Sequence, residues 1–163
     1  MRDLHVVTTG GTIDKIYFDR LSEFEVGEPQ VGALLAQANV TFSWTIDALL
    51  RKDSLELTEP DRDAIVDAVR RADADRVLVT HGTDTMLETA ERLRAVSDKT
   101  IVLTGSMQPA TLRDSDAVFN IGFALGVLRT AAPGVYVAMN GQLFEPGHAR
   151  KNRSANRFEV TDA

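Results

Sequence analysis

Residues 76–82 read RVLVTHG, a short run of mostly apolar residues that is closed by a glycine. Such runs recur along the chain, and they are typical of strands that are buried on both faces of a parallel sheet. Asn140-Gly141 is a hairpin signal, which predicts that the segment after it, Gln142-Leu143-Phe144, pairs antiparallel with the strand before it. The predicted strands are residues 4–9, 39–46, 76–81, 100–104 and 135–139.

Helical patterns lie between the predicted strands. Thr58, followed by Glu59, Pro60 and Asp61, is typical of a helix start, and residues 85–96 and 114–129 predict two further helices. Strands that alternate with helices predict an α/β fold, a three-layer αβα sandwich with a mostly parallel sheet and a C-terminal β-hairpin. We expect residues 1–163 to form a single domain.

Composition excludes several classes of protein. The 163 residues are 44% hydrophobic and 26% charged, which is typical of a globular chain, and they include no cysteine. Disulfides, thiolate zinc sites and a cysteine nucleophile are therefore excluded. The net charge of −6 argues against a nucleic-acid partner, and no signal peptide or apolar run of membrane-spanning length is visible. We expect a cytoplasmic protein that has no membrane partner.

Hydroxyl-bearing residues follow the predicted strands at four places, which are residues 8–12, 51–54, 80–85 and 104–107. In an open parallel sheet, ligands bind outside the carboxyl ends of the strands, so these segments are expected to meet in one pocket. Glycine and threonine also simply end strands and cap helices, and for any one segment that explanation is equally good. The four segments together favour a site.

Other kinds of site do not fit the sequence. There is no phosphate-binding loop, no dinucleotide-binding glycine motif and no serine nucleophile elbow, and the three histidines lack metal-ligand spacing. His81 is better explained as a packed residue at a strand end than as a general base.

A threonine hydroxyl becomes nucleophilic only when a neighbour takes its proton, and a buried lysine can do so. Lysine occurs only at positions 15, 52, 99 and 151. Residues 147–157 are basic, which from composition alone favours a solvated tail.

Residues 13–30 lack clear periodicity and are predicted to be a lid loop, in which Tyr17 could relay a proton and exclude water.

Thr8-Thr9-Gly10-Gly11-Thr12-Ile13, together with His81-Gly82-Thr83-Asp84-Thr85, resembles the two signatures of bacterial-type L-asparaginases and glutaminase-asparaginases. The similarity extends from Leu4 to about Phe158, and it is greatest to the short single-domain members. The resemblance implies hydrolysis of L-asparagine, and alternatively L-glutamine, without metal or cofactor. It also implies a homodimer or homotetramer.

The resemblance implies catalytic roles for five residues. Thr12 would attack the side-chain carboxamide and form an acyl-enzyme, and Tyr17 would assist it. Thr83, Asp84 and Lys151 would form a second group that activates water, with Thr83 also helping to hold the oxyanion.

The resemblance further implies that Asp84 binds the substrate α-ammonium and Ser54 its α-carboxylate. In longer members a carboxylate from the second domain of a neighbouring subunit supports the nucleophile, and Asp53 or Glu56 is a candidate replacement here. Leu55 departs from the polar residue of several relatives, and the lid is more charged than a glycine-rich one. The implied substrate-binding residues are Gly11, Asp53, Ser54, Gly82, Thr83 and Asp84.

Two alternative functions are open. A similar domain produces ammonia in an archaeal-type tRNA amidotransferase, although the acidic charge disfavours a tRNA partner. The chain could also be an amino-acid-binding module without turnover, although it retains all five implied catalytic residues.

Overall fold

The computed structural model describes residues 2–162 and has a six-stranded sheet at its centre. The sheet order is β4-β1-β5-β6-β7-β8, with the first five strands parallel and β8 antiparallel to β7. Its strands are β1 (Leu4–Gly10), β4 (Trp44–Lys52), β5 (Arg76–Thr80), β6 (Thr100–Thr104), β7 (Gly134–Met139) and β8 (Gln142–Phe144).

Two small antiparallel pairs stand apart from this sheet. One pairs β2 (Lys15–Phe18) with β3 (Glu23–Val26), and the other pairs β9 (Ala149–Asn152) with β10 (Arg157–Val160). The helices are α1 (Val31–Gln37), α2 (Glu59–Arg71), α3 (Met86–Leu93) and α4 (Ala117–Thr130), and two single turns of 3₁₀ helix span Thr12–Asp14 and Ser54–Glu56.

The helices form a layer on each face of the sheet. Because successive strand residues point to opposite faces, Val77 and Val79 of β5 pack towards α2 and α3, while Leu78 packs towards α1 and α4. Two buried apolar clusters result, one on each side of the sheet, so the three-layer arrangement with a mostly parallel sheet is confirmed.

Local signals in the sequence correspond to local structure. Thr58 and Asp61 form a capping box, in which each side chain accepts a hydrogen bond from the backbone amide of the other. Asn140 and Gly141 have positive φ angles of 55° and 73°, as a tight hairpin turn requires, and β7 pairs antiparallel with β8 as predicted.

Three predictions were wrong in detail. The strand expected at residues 39–46 begins at Trp44 and continues to Lys52, because a short helix, α1, precedes it and Asn39 leaves that helix with a φ of 51°. The lid loop predicted at residues 13–30 contains secondary structure, namely part of the Thr12–Asp14 turn and the β2–β3 hairpin, and its role as a lid stays a prediction. The helix predicted from residue 114 starts at Ala117, because the Asp116 carboxylate accepts hydrogen bonds from the Met107 and Gln108 amides.

Within residues 2–162, none of the helices is both long enough and apolar enough to cross a bilayer.

Candidate active site

Glycines bring the ends of four strands into direct backbone contact. A β-carbon added to Gly11 would lie less than 3.0 Å from the backbone of Gly82, and one added to Gly82 would collide with Ser54. One added to Gly105 would collide with the carbonyl oxygen of His81. Because Thr12 and Thr83 directly follow the two touching glycines, their peptide units are neighbours at the carboxyl edge of the sheet. The predicted convergence of strand ends is present.

Three of the five implied catalytic residues form one hydrogen-bonded cluster. The Lys151 ammonium donates to the Thr83 hydroxyl at 2.7 Å and to the Asp84 carboxylate at 2.9 Å. The Lys151 side chain is only 16% exposed, and the Asp84 side chain is 25% exposed. The cluster is thus half-enclosed, where a hydrogen-bonded charge is held more firmly than on an open surface.

The β9–β10 hairpin carries Lys151 to this cluster. Lys151 pairs with Phe158 across the hairpin, and directly opposed residues of an antiparallel pair share a face. Phe158 is buried and its ring lies 6.1 Å from that of Phe144 in the core. The expectation of a solvated tail for residues 147–157 was therefore wrong, because one buried aromatic residue anchors the hairpin against the sheet.

Ser54 lies under the same edge, in the 3₁₀ turn after β4. Its side chain is buried, its hydroxyl oxygen accepts from the Thr85 amide at 3.3 Å, and its carbonyl oxygen accepts from the Thr85 hydroxyl at 2.8 Å. These bonds join the Ser54 turn to the Thr83–Asp84 segment.

Asp53 stands beside Ser54 and is held by Lys15, whose ammonium lies 3.3 Å from its carboxylate. Burial raises the pKa of Asp53, but hydrogen bonds from the Leu55 amide and Lys15 outweigh it and leave the pKa below its usual value. Leu55 and Glu56 are exposed. Asp53 is therefore a carboxylate at the rim of the site, already paired with a cation.

Thr12 and Tyr17 are not joined in this way. Thr12 is half-buried in its 3₁₀ turn, and within residues 2–162 its hydroxyl makes no hydrogen bond. The Tyr17 side chain is 52% exposed, and its ring packs against Phe24 of the same hairpin at 5.4 Å. The structure thus leaves the Thr12 hydroxyl unengaged, and the role of Tyr17 stays a prediction.

His81 is a packed residue, as expected. It is fully buried, and its Nδ1 lies 2.6 Å from the carbonyl oxygen of Gly82, to which it must donate. Its Nε2 then accepts from the Thr89 hydroxyl at 2.8 Å. Burial lowers the pKa of His81 to about 4, so the ring is neutral and both of its nitrogens are engaged.

Two residues near the site were missed at the level of sequence. Arg153 contacts the Asp84 carboxylate at 3.1 Å, and Asp14 is buried two positions after Thr12. Arg153 is two residues from Lys151 on the same hairpin, but a basic residue in a basic segment gives no separate signal. No separate sequence signal marked Asp14, because its burial in the turn after Thr12 is a property of the fold.

A family model and a known protein each match most of the chain. The family model described as "Asparaginase, N-terminal" matches residues 3–161. The glutaminase-asparaginase of Acinetobacter glutaminasificans is 32% identical over an alignment of 163 positions that covers 85% of this chain and 46% of that protein.

Two solved structures share the fold over nearly the whole chain. The thermostable L-asparaginase from Thermococcus kodakarensis superposes with a TM-score of 0.83 and 30% identity, over 97% of this chain and 51% of that one. L-asparaginase I from Vibrio cholerae superposes with a TM-score of 0.85 and 25% identity, over 99% and 52% of the two chains. The chain spans about half the length of these relatives.

Proposed function

The chain belongs to the asparaginase family, and from that membership we propose that it is an amidohydrolase that converts L-asparagine and water to L-aspartate and ammonia. The observation that carries the proposal is the Lys151–Thr83–Asp84 cluster beside the turn of Thr12. A side-chain amide is a poor electrophile, so its hydrolysis needs an activated nucleophile and a donor to the developing oxyanion.

In the first half-reaction, the Thr12 oxygen would attack the side-chain carboxamide carbon, and its proton would pass, with the assistance of Tyr17, to the amide nitrogen that leaves. The tetrahedral intermediate would expel ammonia and leave the aspartyl group as an ester on Thr12. In the second half-reaction, water would add to that ester, the C–O bond to Thr12 would break to release aspartate, and a proton of the water would restore the Thr12 hydroxyl. The unengaged Thr12 hydroxyl supports this role, because no competing partner has to be displaced.

Lys151 would act by orienting Thr83. Because the ammonium donates to the Thr83 oxygen, the Thr83 hydroxyl proton is left to point elsewhere. That proton would be donated in a hydrogen bond to the developing oxyanion of the substrate. A hydroxyl fixed before the reaction stabilises developing charge without reorganisation.

The same edge offers groups for both charges of an amino acid. Asp84 would accept the substrate α-ammonium, and Ser54 with nearby backbone amides would receive its α-carboxylate. The proposed chemistry uses hydroxyls, an ammonium and a carboxylate, without a metal or cofactor. Discrimination between asparagine and glutamine would depend on one methylene, worth about 1–3 kcal/mol.

Assembly and location belong to the proposal as well. We infer a homodimer or homotetramer, because the β2–β3 hairpin beside the site exposes the apolar side chains of Tyr17, Phe18, Leu21 and Phe24. We also propose a cytoplasmic location.

Ammonia release from L-asparagine and L-glutamine tests the function. The wild type should release ammonia from at least one amide, whereas Thr12→Ala and Thr83→Ala should release none while keeping a native circular dichroism spectrum. Thr130→Ala, an exposed threonine at the end of α4, is the matched control and should retain wild-type activity. A wild type that binds asparagine tightly without turnover would instead support a binding module.

A further inference from the structure

Asp14 is a buried carboxyl in the turn that carries Thr12, and the chemistry described above does not use it. It is only 2% exposed. Its carboxylate accepts a hydrogen bond from the Gln30 amide at 2.9 Å, and its carbonyl oxygen accepts one from the Gly27 amide at 2.8 Å. Gly27 and Gln30 lie just beyond β3, so Asp14 joins the two ends of the β2–β3 hairpin.

The residues on either side of Asp14 are also fixed. Ile13 is fully buried, and its carbonyl oxygen accepts from the Ala110 amide at 3.1 Å. Lys15 reaches Asp53 beside the Ser54 turn. In the described part of the chain, Thr12 is therefore the one residue of the Thr12–Asp14 turn whose side chain is neither buried in the core nor held by a hydrogen bond.

We propose that Asp14 is a positioning residue, whose contacts with Gln30 and Gly27 hold the Thr12 turn and the β2–β3 hairpin in one fixed arrangement. The proposal rests on the proposed function, since it assigns Asp14 to the placement of the nucleophile. Loss of the carboxylate would leave the Gln30 amide without its partner, and the hairpin that carries Tyr17 would be held at its base by fewer bonds.

The charge of Asp14 affects the strength of its hydrogen bond with the Gln30 amide. Burial raises the pKa of Asp14 to about 7, against the lowering effects of the Gln30 hydrogen bond and of Arg51 on β4. Arg51 is itself paired with Glu28 at 2.6 Å. Hydrogen bonds to an ionised acceptor are stronger than those to a neutral one. The hydrogen bond from the Gln30 amide to Asp14 therefore becomes stronger as the pH rises through neutrality.

Steady-state kinetics between pH 5.5 and 8.5 test the proposal on the full chain. Asp14→Ala should lower kcat by roughly tenfold to a hundredfold and leave KM nearly unchanged, because Asp84 and Ser54, which would bind the two charges of the substrate, lie on other segments. Asp14→Asn should recover most of kcat, since its amide oxygen can still accept from Gln30. The wild-type rise of kcat near pH 7 should be absent from Asp14→Asn.

Asp19→Asn is the matched control, because Asp19 lies exposed in the turn of the same hairpin. It should retain the wild-type kcat and pH profile. A wild-type kcat in Asp14→Ala, a wild-type pH profile in Asp14→Asn, or an equal loss in kcat and in substrate affinity would overturn the proposal.

Hydrogen exchange separates this proposal from the proposed function. Even if the wild type releases no ammonia, the backbone amides of residues 15–26 should exchange faster in Asp14→Ala than in wild type or Asp19→Asn. Equal exchange in all three proteins would refute the positioning role on its own.

Discussion

The Lys151 ammonium lies 2.7 Å from the hydroxyl oxygen of Thr83, although the two residues belong to separate parts of the chain. The first is carried on a peripheral hairpin and the second follows the central strand β5. Their contact joins a basic segment to the strand ends, and it gives the candidate site its only lysine in contact with a threonine hydroxyl among residues 2–162.

Lys151→Met should lower kcat for amide hydrolysis by about 10²–10⁴-fold, because an uncharged side chain can neither orient Thr83 nor exchange a proton. The measurement is ammonia release at saturating substrate. Arg150→Met on the same hairpin is the control, since Arg150 is exposed and pairs with Glu159 instead. If both variants lose activity equally, the hairpin as a whole is needed and Lys151 has no special role.

Gly11→Ala should reduce both stability and activity. A β-carbon there would collide with the backbone of Gly82, at a φ of 84° that side chains rarely adopt. We expect a loss of about 1–3 kcal/mol in the free energy of unfolding, measured by urea denaturation. Gly126→Ala is the contrasting variant, because nothing lies within 4 Å of the added carbon and helix propensity should make it neutral or stabilising. Unchanged stability and activity in Gly11→Ala would contradict the close approach of the two turns.

Asp14 should make the fold less stable as the pH rises from about 4 to about 7. Its pKa is raised in the folded state to about 7, so the unfolded chain ionises first and holds fewer protons in that window. The free energy of unfolding should fall by up to about 4 kcal/mol from this group. Urea denaturation at several pH values should show the slope in wild type and a much smaller one in Asp14→Asn. Parallel curves would exclude a neutral, buried Asp14.

Arg153→Gln should lower KM for L-asparagine by about twofold to fivefold. Arg153 contacts the Asp84 carboxylate that would receive the substrate ammonium, and at 67% exposure it is a weak, displaceable competitor. The kcat should change little, and Arg157→Gln, on the same hairpin and paired with Glu159, should leave KM unchanged. A higher KM in Arg153→Gln would mean that the arginine helps to bind substrate.

The parallel sheet and its pocket edge were predictable because each depends on short-range patterns. Apolar runs such as residues 77–80 can be identified without knowledge of their partners, and the glycine after the strand end marks where backbones approach closely. The meeting of the segments that carry Thr12 and Thr83 at one sheet edge was therefore predictable, whereas the roles of the two threonines were implied by the family resemblance.

The two hairpins were less accessible from the sequence. The β9–β10 pair depends on Phe158 reaching Phe144 in the core, a long-range contact that a basic composition conceals. In the β2–β3 pair, charged and apolar residues alternate only along Glu23–Val26. The base of this hairpin is held by a hydrogen bond from the Gln30 amide to the buried Asp14 carboxylate. Lys151 was assigned through family resemblance for the same reason, since its position is set by tertiary packing.

Mass spectrometry of the acid-quenched reaction tests the threonine mechanism most directly. After rapid mixing with L-asparagine, the peptide that contains Thr12 should carry one added aspartyl group, and the Thr12→Ala protein should carry none. An aspartyl group on a different residue, or turnover that persists in Thr12→Ala, would contradict the account.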